Sequence, residues 1–163
     1  MTAPGRGTAT LVALAVLVLD QATKWWILER VMQPPRVIEV TPFFNLVLVW
    51  NRGVSFGILN NASPYNSIVL ATLSLIVAAG LGVWAWRARQ ALVRLALGGI
   101  VGGAVGNAID RLRHDGVVDF LDVHAFALHW PAFNVADAAI TVGAVLMVWD
   151  ALFPGPDSIK NAG

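Results

Sequence analysis

Between Asn66 and Trp86 the chain runs for 21 residues without a charged side chain. A helix of that length rises about 31 Å, the thickness of the hydrocarbon core of a bilayer. Three further stretches have the same character, at 8–28, 91–110 and 131–153. The composition agrees: 57% of residues are hydrophobic and only 13% charged, too few to build a water-facing surface. The expected fold is an all-α polytopic membrane protein with four transmembrane helices, forming one membrane-embedded domain over 1–163. Arg6 before an apolar run has the look of a secretory signal. No small-x-small cleavage site follows, however, and the pattern continues into Trp25 and Trp26, so a retained helix is expected.

Four spans put both termini on one side. Lysine and arginine outside the spans divide five against five and do not orient the chain by number. Density does: RARQALVR (87–94) packs three arginines and no acid into a short loop, which the positive-inside rule assigns to the cytoplasm together with the termini. Tryptophans 25, 26 and 130 sit at one set of helix ends and 84, 86 and 149 at the other, as two interfacial belts. Residues 29–64 and 111–130 are then extracytoplasmic. Within the first of these, 36–59 is rich in β-branched and aromatic residues, broken by Pro42 and Gly53, and reads as short strands. Glycines 98, 99, 102, 103 and 106 of the third span form overlapping small-xxx-small pairs, a pattern for close helix packing.

Against this apolar background each ionisable group inside a span needs a reason, because its burial costs roughly 2.5–3.5 kcal/mol at the span centre. Asp20 and Lys24 are spaced i,i+4, the order of an intrahelical pair. Asn107 and Arg111 share a face at the end of the third span. Asp110 points elsewhere, as a structural acid to be neutralised by a neighbouring arginine. Asp137 lies six residues into the fourth span, and no lysine or arginine occurs between Arg113 and Lys160 to pair with it. Asn134 and Thr141 extend its polar face. An unpaired intramembrane carboxylate is a functional candidate by default. Asp115, before Gly116, reads as a turn residue. Asp119 and Asp122, in VVDFLDVH, can both approach Asp137, and two carboxyls sharing a proton would activate water for hydrolysis. Spacing does not choose between them.

Other chemistries fit less well. There is no cysteine, which excludes thiol catalysis, disulfides and thiolate metal sites. His114, His124 and His129 show no metal-ligand spacing, so neither a metal nor another cofactor is expected. A net charge of +1 offers nothing to nucleic acid. Gly53-Val-Ser55-Phe-Gly57 matches G-x-S-x-G, followed by an acid and His124, but that elbow needs an α/β sheet this chain is too short to supply. A transporter using Asp20, Asp110 and Asp137 as a relay would place them near the midplane in repeated or broken helices, and no repeat is visible.

The polar segments DQATK (20–24), NRGVSFG (51–57), GGAVGNAIDR (102–111), VVDF (117–120) and FNVAD (133–137) together resemble lipoprotein signal peptidase, the type II signal peptidase of bacteria. The resemblance spans nearly the whole chain, with every motif in order. It implies an aspartyl endopeptidase of the bacterial cytoplasmic membrane, with its active site near the outer face. Such an enzyme cuts diacylglyceryl-modified prolipoproteins just before the lipidated cysteine. It assigns the catalytic aspartates to Asp119 and Asp137, leaving Asp122 outside the dyad. Substrate-binding or supporting roles fall on Asp20, Lys24, Asn51, Gly53, Asn107, Arg111 and Asn134. It also implies a small β-cradle from the first outer loop and a short helix in the second. The expected partners are prolipoproteins and membrane lipids, and the expected state is a monomer.

Overall fold

The computed structural model describes residues 6–53, 65–126 and 128–153. Its elements run α1 (Arg6–Trp26), a π-helical turn (Ile27–Val31), β1 (Ile38–Thr41), β2 (Phe44–Asn51), α2 (Asn66–Arg87), α3 (Ala91–His114), β3 (Val117–Ala125), β4 (Leu128–His129) and α4 (Val135–Leu152). Among the described residues, four helices, the first counted through Val31, are long and apolar enough to cross a membrane. Their outward faces carry exposed Leu, Val and Ile throughout, as lipid-facing surfaces do. The tryptophans expected at the two helix-end belts are all exposed.

α3 is the centre of the bundle and packs against each of the other three helices. Its glycines make this possible. A Cβ on Gly98 or Gly102 would stand 2.6 or 2.5 Å from the carbonyl oxygens of Ala9 and Ala13 in α1. On the opposite face, one on Gly103 would meet the Ala136 carbonyl of α4 at 2.5 Å. The small-residue stripe expected to serve packing therefore serves it on two faces at once.

The sheet is antiparallel in the order β1-β2-β3-β4 and caps one end of the bundle. Its inner face rests on Ile27 and Met32 through Phe120, with Ile38, Leu46 and Val135 around them. The strands expected in 36–59 are β1 and β2, while 54–59 lies outside the described residues. The second connection differs from the expectation of a short helix. α3 continues to His114 and ends on Asp115, a turn residue with φ 56, and the chain then enters β3. Val117 to Phe120 are all buried, so this strand lacks the polar/apolar alternation by which half-exposed strands are recognised. β2 and β3 pair from Asn51↔Val117 to Phe44↔Val123, with Val49 opposite Asp119.

The fourth helix starts later than expected. Pro131 suits a first helical turn, but 130–133 instead runs extended beside β3, where Phe133 exchanges backbone bonds with Leu121. The N-cap is Asn134. Its Oδ1 accepts from the Asp137 N–H at 2.9 Å, while its own N–H donates to Asp137 Oδ2 at 3.3 Å. This reciprocal box outcompetes a start at Pro131 because it satisfies donors that proline cannot. Asp137 is thus the third residue of the helix, not the seventh of a longer one.

Candidate active site

Every polar residue singled out within 20–24, 102–111, 117–120 and 133–137 converges at the junction of the sheet with the bundle. Asp20 and Lys24 pair at 2.8 Å, both buried. Lys24 also reaches Asp110 Oδ2 at 2.8 Å and donates to Asn107 Oδ1 at 3.0 Å. Asp110 is therefore neutralised by a lysine from α1, not by an arginine. It further accepts from the Val118 N–H, which ties α3 to β3. Asp20 uses its other oxygen to accept from the Ala136 N–H of α4 at 3.0 Å. It acts as a second cap supplied from another helix.

Asn107 relays this charge. Its carbonyl faces Lys24, and its Nδ2 donates to Asp137 Oδ1 at 2.8 Å. Asp137 has no cation near it in sequence, yet one amide separates it from Lys24 in space. Asp119, 1% exposed on β3, accepts from Asn134 Nδ2 at 2.7 Å and Asn51 Nδ2 at 3.0 Å. Asn134 therefore holds Asp119 with its side-chain amide and Asp137 with its carbonyl and backbone. Burial first, then the negative charge of Asp137, pushes the Asp119 carboxyl up to about 7. The bonds from Asn51 and Asn134 and the charge of Lys24 pull the other way.

Asn51 Oδ1 fixes the Gly53 N–H at 3.1 Å, and the Gly53 carbonyl accepts from Arg111 Nη2 at 3.1 Å. Arg111 is 8% exposed and also donates to the Asn107 backbone carbonyl, while its Nε has no partner among the described residues. Asp122 is directed away from this network, bonded to Asn45 Nδ2 and His129 Nδ1, both at 2.9 Å. Burial would raise its carboxyl, but the bonds from His129 and Asn45 outweigh this and hold it below the usual range. Ser55 lies outside the described residues. Sequence reasoning overlooked Gln21, whose Nε2 donates to Asp110 Oδ1 at 2.9 Å and Asp20 Oδ2 at 3.2 Å. A glutamine inside a span was the available signal.

Two cavities meet at Asp137. The larger, about 550 Å³, is lined by Asn51, Trp130, Phe133, Asp137, Thr141 and Val142. The smaller, about 170 Å³, lies between α2, α3 and α4 and is lined by Ser74, Asn107, Arg111 and Ile140 with Asn51 and Asp137. A mainly apolar cleft with a few convergent polar groups has the form of a ligand site.

A four-helix membrane protein with buried carboxylates at one end of its bundle defines the class, and comparison with known proteins gives the family. The family model described as signal peptidase (SPase) II matches residues 12–153, so the chain belongs to the signal peptidase II family, a family of membrane proteases. Relatives named lipoprotein signal peptidase include one from Methylorubrum extorquens (strain PA1), 45% identical over 96% of this chain and 91% of that protein. Another, from Methylobacterium sp. (strain 4-46), is 47% identical over 84% and 82%. Among solved structures, a bacterial membrane enzyme determined by the in meso method at 1.9 Å superposes with a TM-score of 0.77. It is 29% identical over 91% of this chain and 95% of that one.

Proposed function

We propose that this chain removes signal peptides from diacylglyceryl-modified prolipoproteins, cutting just before the lipidated cysteine with water activated by Asp119 and Asp137. The observation that carries this reading is Asn134, whose side-chain amide bonds the Asp119 carboxylate and whose backbone N–H bonds that of Asp137, which lines an apolar cleft. Two carboxyls in one buried network share a proton in preference to carrying two charges. Asp119, with its carboxyl raised to about 7, keeps the proton and donates it to the scissile carbonyl oxygen. Asp137 takes a proton from water as that water attacks the carbonyl carbon. Collapse of the tetrahedral intermediate breaks the C–N bond: the departing amine takes the proton held by Asp137, and the hydroxyl that becomes the new carbonyl returns its proton to Asp119, which restores the pair. Asn51 and Asn107 orient the two carboxylates, and Arg111 and Gly53 present polar groups to the substrate backbone. The apolar cavity walls suit the signal helix and the acyl chains.

We read the sheet end of the bundle as the extracytoplasmic one, on the charge density of 87–94, which sets the site where a lipid-bearing cysteine emerges from the membrane. The test is processing of a lipidated prolipoprotein by Asp119→Asn and Asp137→Asn proteins that remain folded and inserted. Each is expected to lose cleavage. Wild-type rates in either would remove the dyad, and loss in Ser55→Ala alone would point to a serine nucleophile.

A further inference from the structure

The end of the sheet remote from Asn51 is built from residues that water-facing turns avoid. The β1–β2 turn carries an exposed Phe43. The β3–β4 turn lies beside it, because Phe44 pairs with Val123 and the His124 N–H donates to the Phe43 carbonyl at 3.0 Å. Phe126 is 99% exposed, Leu128 80% and Phe43 61%. Phe126 also holds a φ of 55, a left-handed conformation that glycine, asparagine or aspartate adopts at lower cost. From Val123 to Ala136 there is no lysine, arginine, aspartate or glutamate. A strained, uncharged turn that presents its aromatic ring outward is costly in water and favourable against lipid.

We propose that these two turns form an apolar foot that enters the interfacial layer of the bilayer beside the bundle, with Phe126, Leu128 and Phe43 in contact with lipid. The occupant is lipid and not another protein because the patch continues a surface that already faces the bilayer. Trp25 and Trp26 are exposed at the same end of α1, and the turn that follows them packs under the sheet through Phe120. Trp130, exposed as well, extends the foot toward α4. The depth is limited to the interface. β4 is an edge strand, and its outward backbone groups need water or headgroups, which hydrocarbon cannot supply. Insertion would hold Trp130–Phe133, part of the wall of the larger cavity, at the level where lipid esters lie. This goes beyond the peptidase reading and does not depend on it.

The chain lacks cysteine, so single reporters are straightforward. Phe126→Cys, Leu128→Cys and the exposed polar reference Arg36→Cys would each carry a nitroxide, with the protein in phosphatidylethanolamine–phosphatidylglycerol vesicles. The expected result is oxygen collision several-fold above that of a water-soluble nickel chelate at 126 and 128, with the reverse at 36. Chelate access at 126 and 128 equal to that at 36 would overturn the proposal. So would spin–spin broadening at 126 that disappears on dilution with unlabelled protein, which would identify a second copy as the occupant. Phe126 and Leu128 are both exposed, so neither substitution removes core packing, and each reports independently of the other.

Discussion

Asn134 serves the Asp119 carboxylate and the start of α4 with one side chain, and these two duties can be separated. Its carbonyl caps α4, and its amide nitrogen donates to Asp119. Asn134→Ala loses both, at a cost of about 1 kcal/mol for the cap and roughly 100-fold in cleavage. Asn134→Ser keeps an acceptor for the cap but no amide donor. Its melting temperature should return toward that of the unchanged protein while cleavage stays low, as paired thermal-shift and processing assays would show. Recovery of both would reduce Asn134 to a helix cap. The pH dependence follows from Asp119. A carboxyl raised to about 7 by burial and by the charge of Asp137 holds its proton up to that pH, so the singly protonated pair persists below about 7 and disappears above it. The rate of prolipoprotein cleavage should therefore fall as pH rises through about 7. The bond from Asn51 lowers the Asp119 carboxyl, so Asn51→Ala should move that alkaline limb upward in a pH–rate profile. A limb that stays in place would remove Asp119 as the group responsible.

Among the elements, α3 is the least tolerant because two neighbours approach it at glycine. Gly103→Ala would drive a methyl to 2.5 Å from the Ala136 carbonyl, next to the cap that presents Asp137. Gly99→Ala, four residues earlier on the same face, meets Ala139 at an ordinary 3.4 Å. Gly103→Ala should lose about 1–3 kcal/mol of stability and part of the activity. Gly99→Ala should be neutral or slightly stabilising, since alanine is the better helix former. Thermal unfolding in detergent measures both, and equal behaviour would mean that the close contact does not matter. The same elements show what sequence alone conveys. The spans were legible because apolarity over about 20 residues is a local property. The stripe on α3 was legible because small residues at helical spacing have one common use. β3 was hidden because burial on both faces erased its alternation, and the true start of α4 was hidden because Pro131 and Asn134 compete as start signals. The pairing of Lys24 with Asp110 depends on how α1 packs against α3, which no local pattern encodes. Between Asp119 and Asp122, pattern gave no choice. The geometry separates them, with Asp119 bonded to Asn134 and Asp122 turned to His129.

On the scale of the whole molecule, the polar groups are concentrated where the sheet meets the bundle, and the opposite end carries Arg87, Arg89 and Arg94. This asymmetry makes orientation a functional matter: a site that cuts exported precursors works only if the sheet end faces outward. Charge count is even between the two sides, so orientation rests on the compact basic segment 87–94, the turn 88–90 with the helix ends that flank it, where Arg94 Nη1 donates to the carbonyls of Ala88 and Arg89 and fixes the turn. A short, rigid, basic connection is retained on the cytoplasmic side during insertion. The absence of cysteine again permits a direct test. Arg89→Cys, in that loop, and Arg113→Cys, exposed at the sheet end of α3, would each be treated with a membrane-impermeant maleimide on intact spheroplasts. Arg113→Cys should label at once, and Arg89→Cys only after lysis. The reverse pattern would invert the bundle, set Asp119 and Asp137 on the cytoplasmic side, and separate them from any substrate that emerges on the outer face.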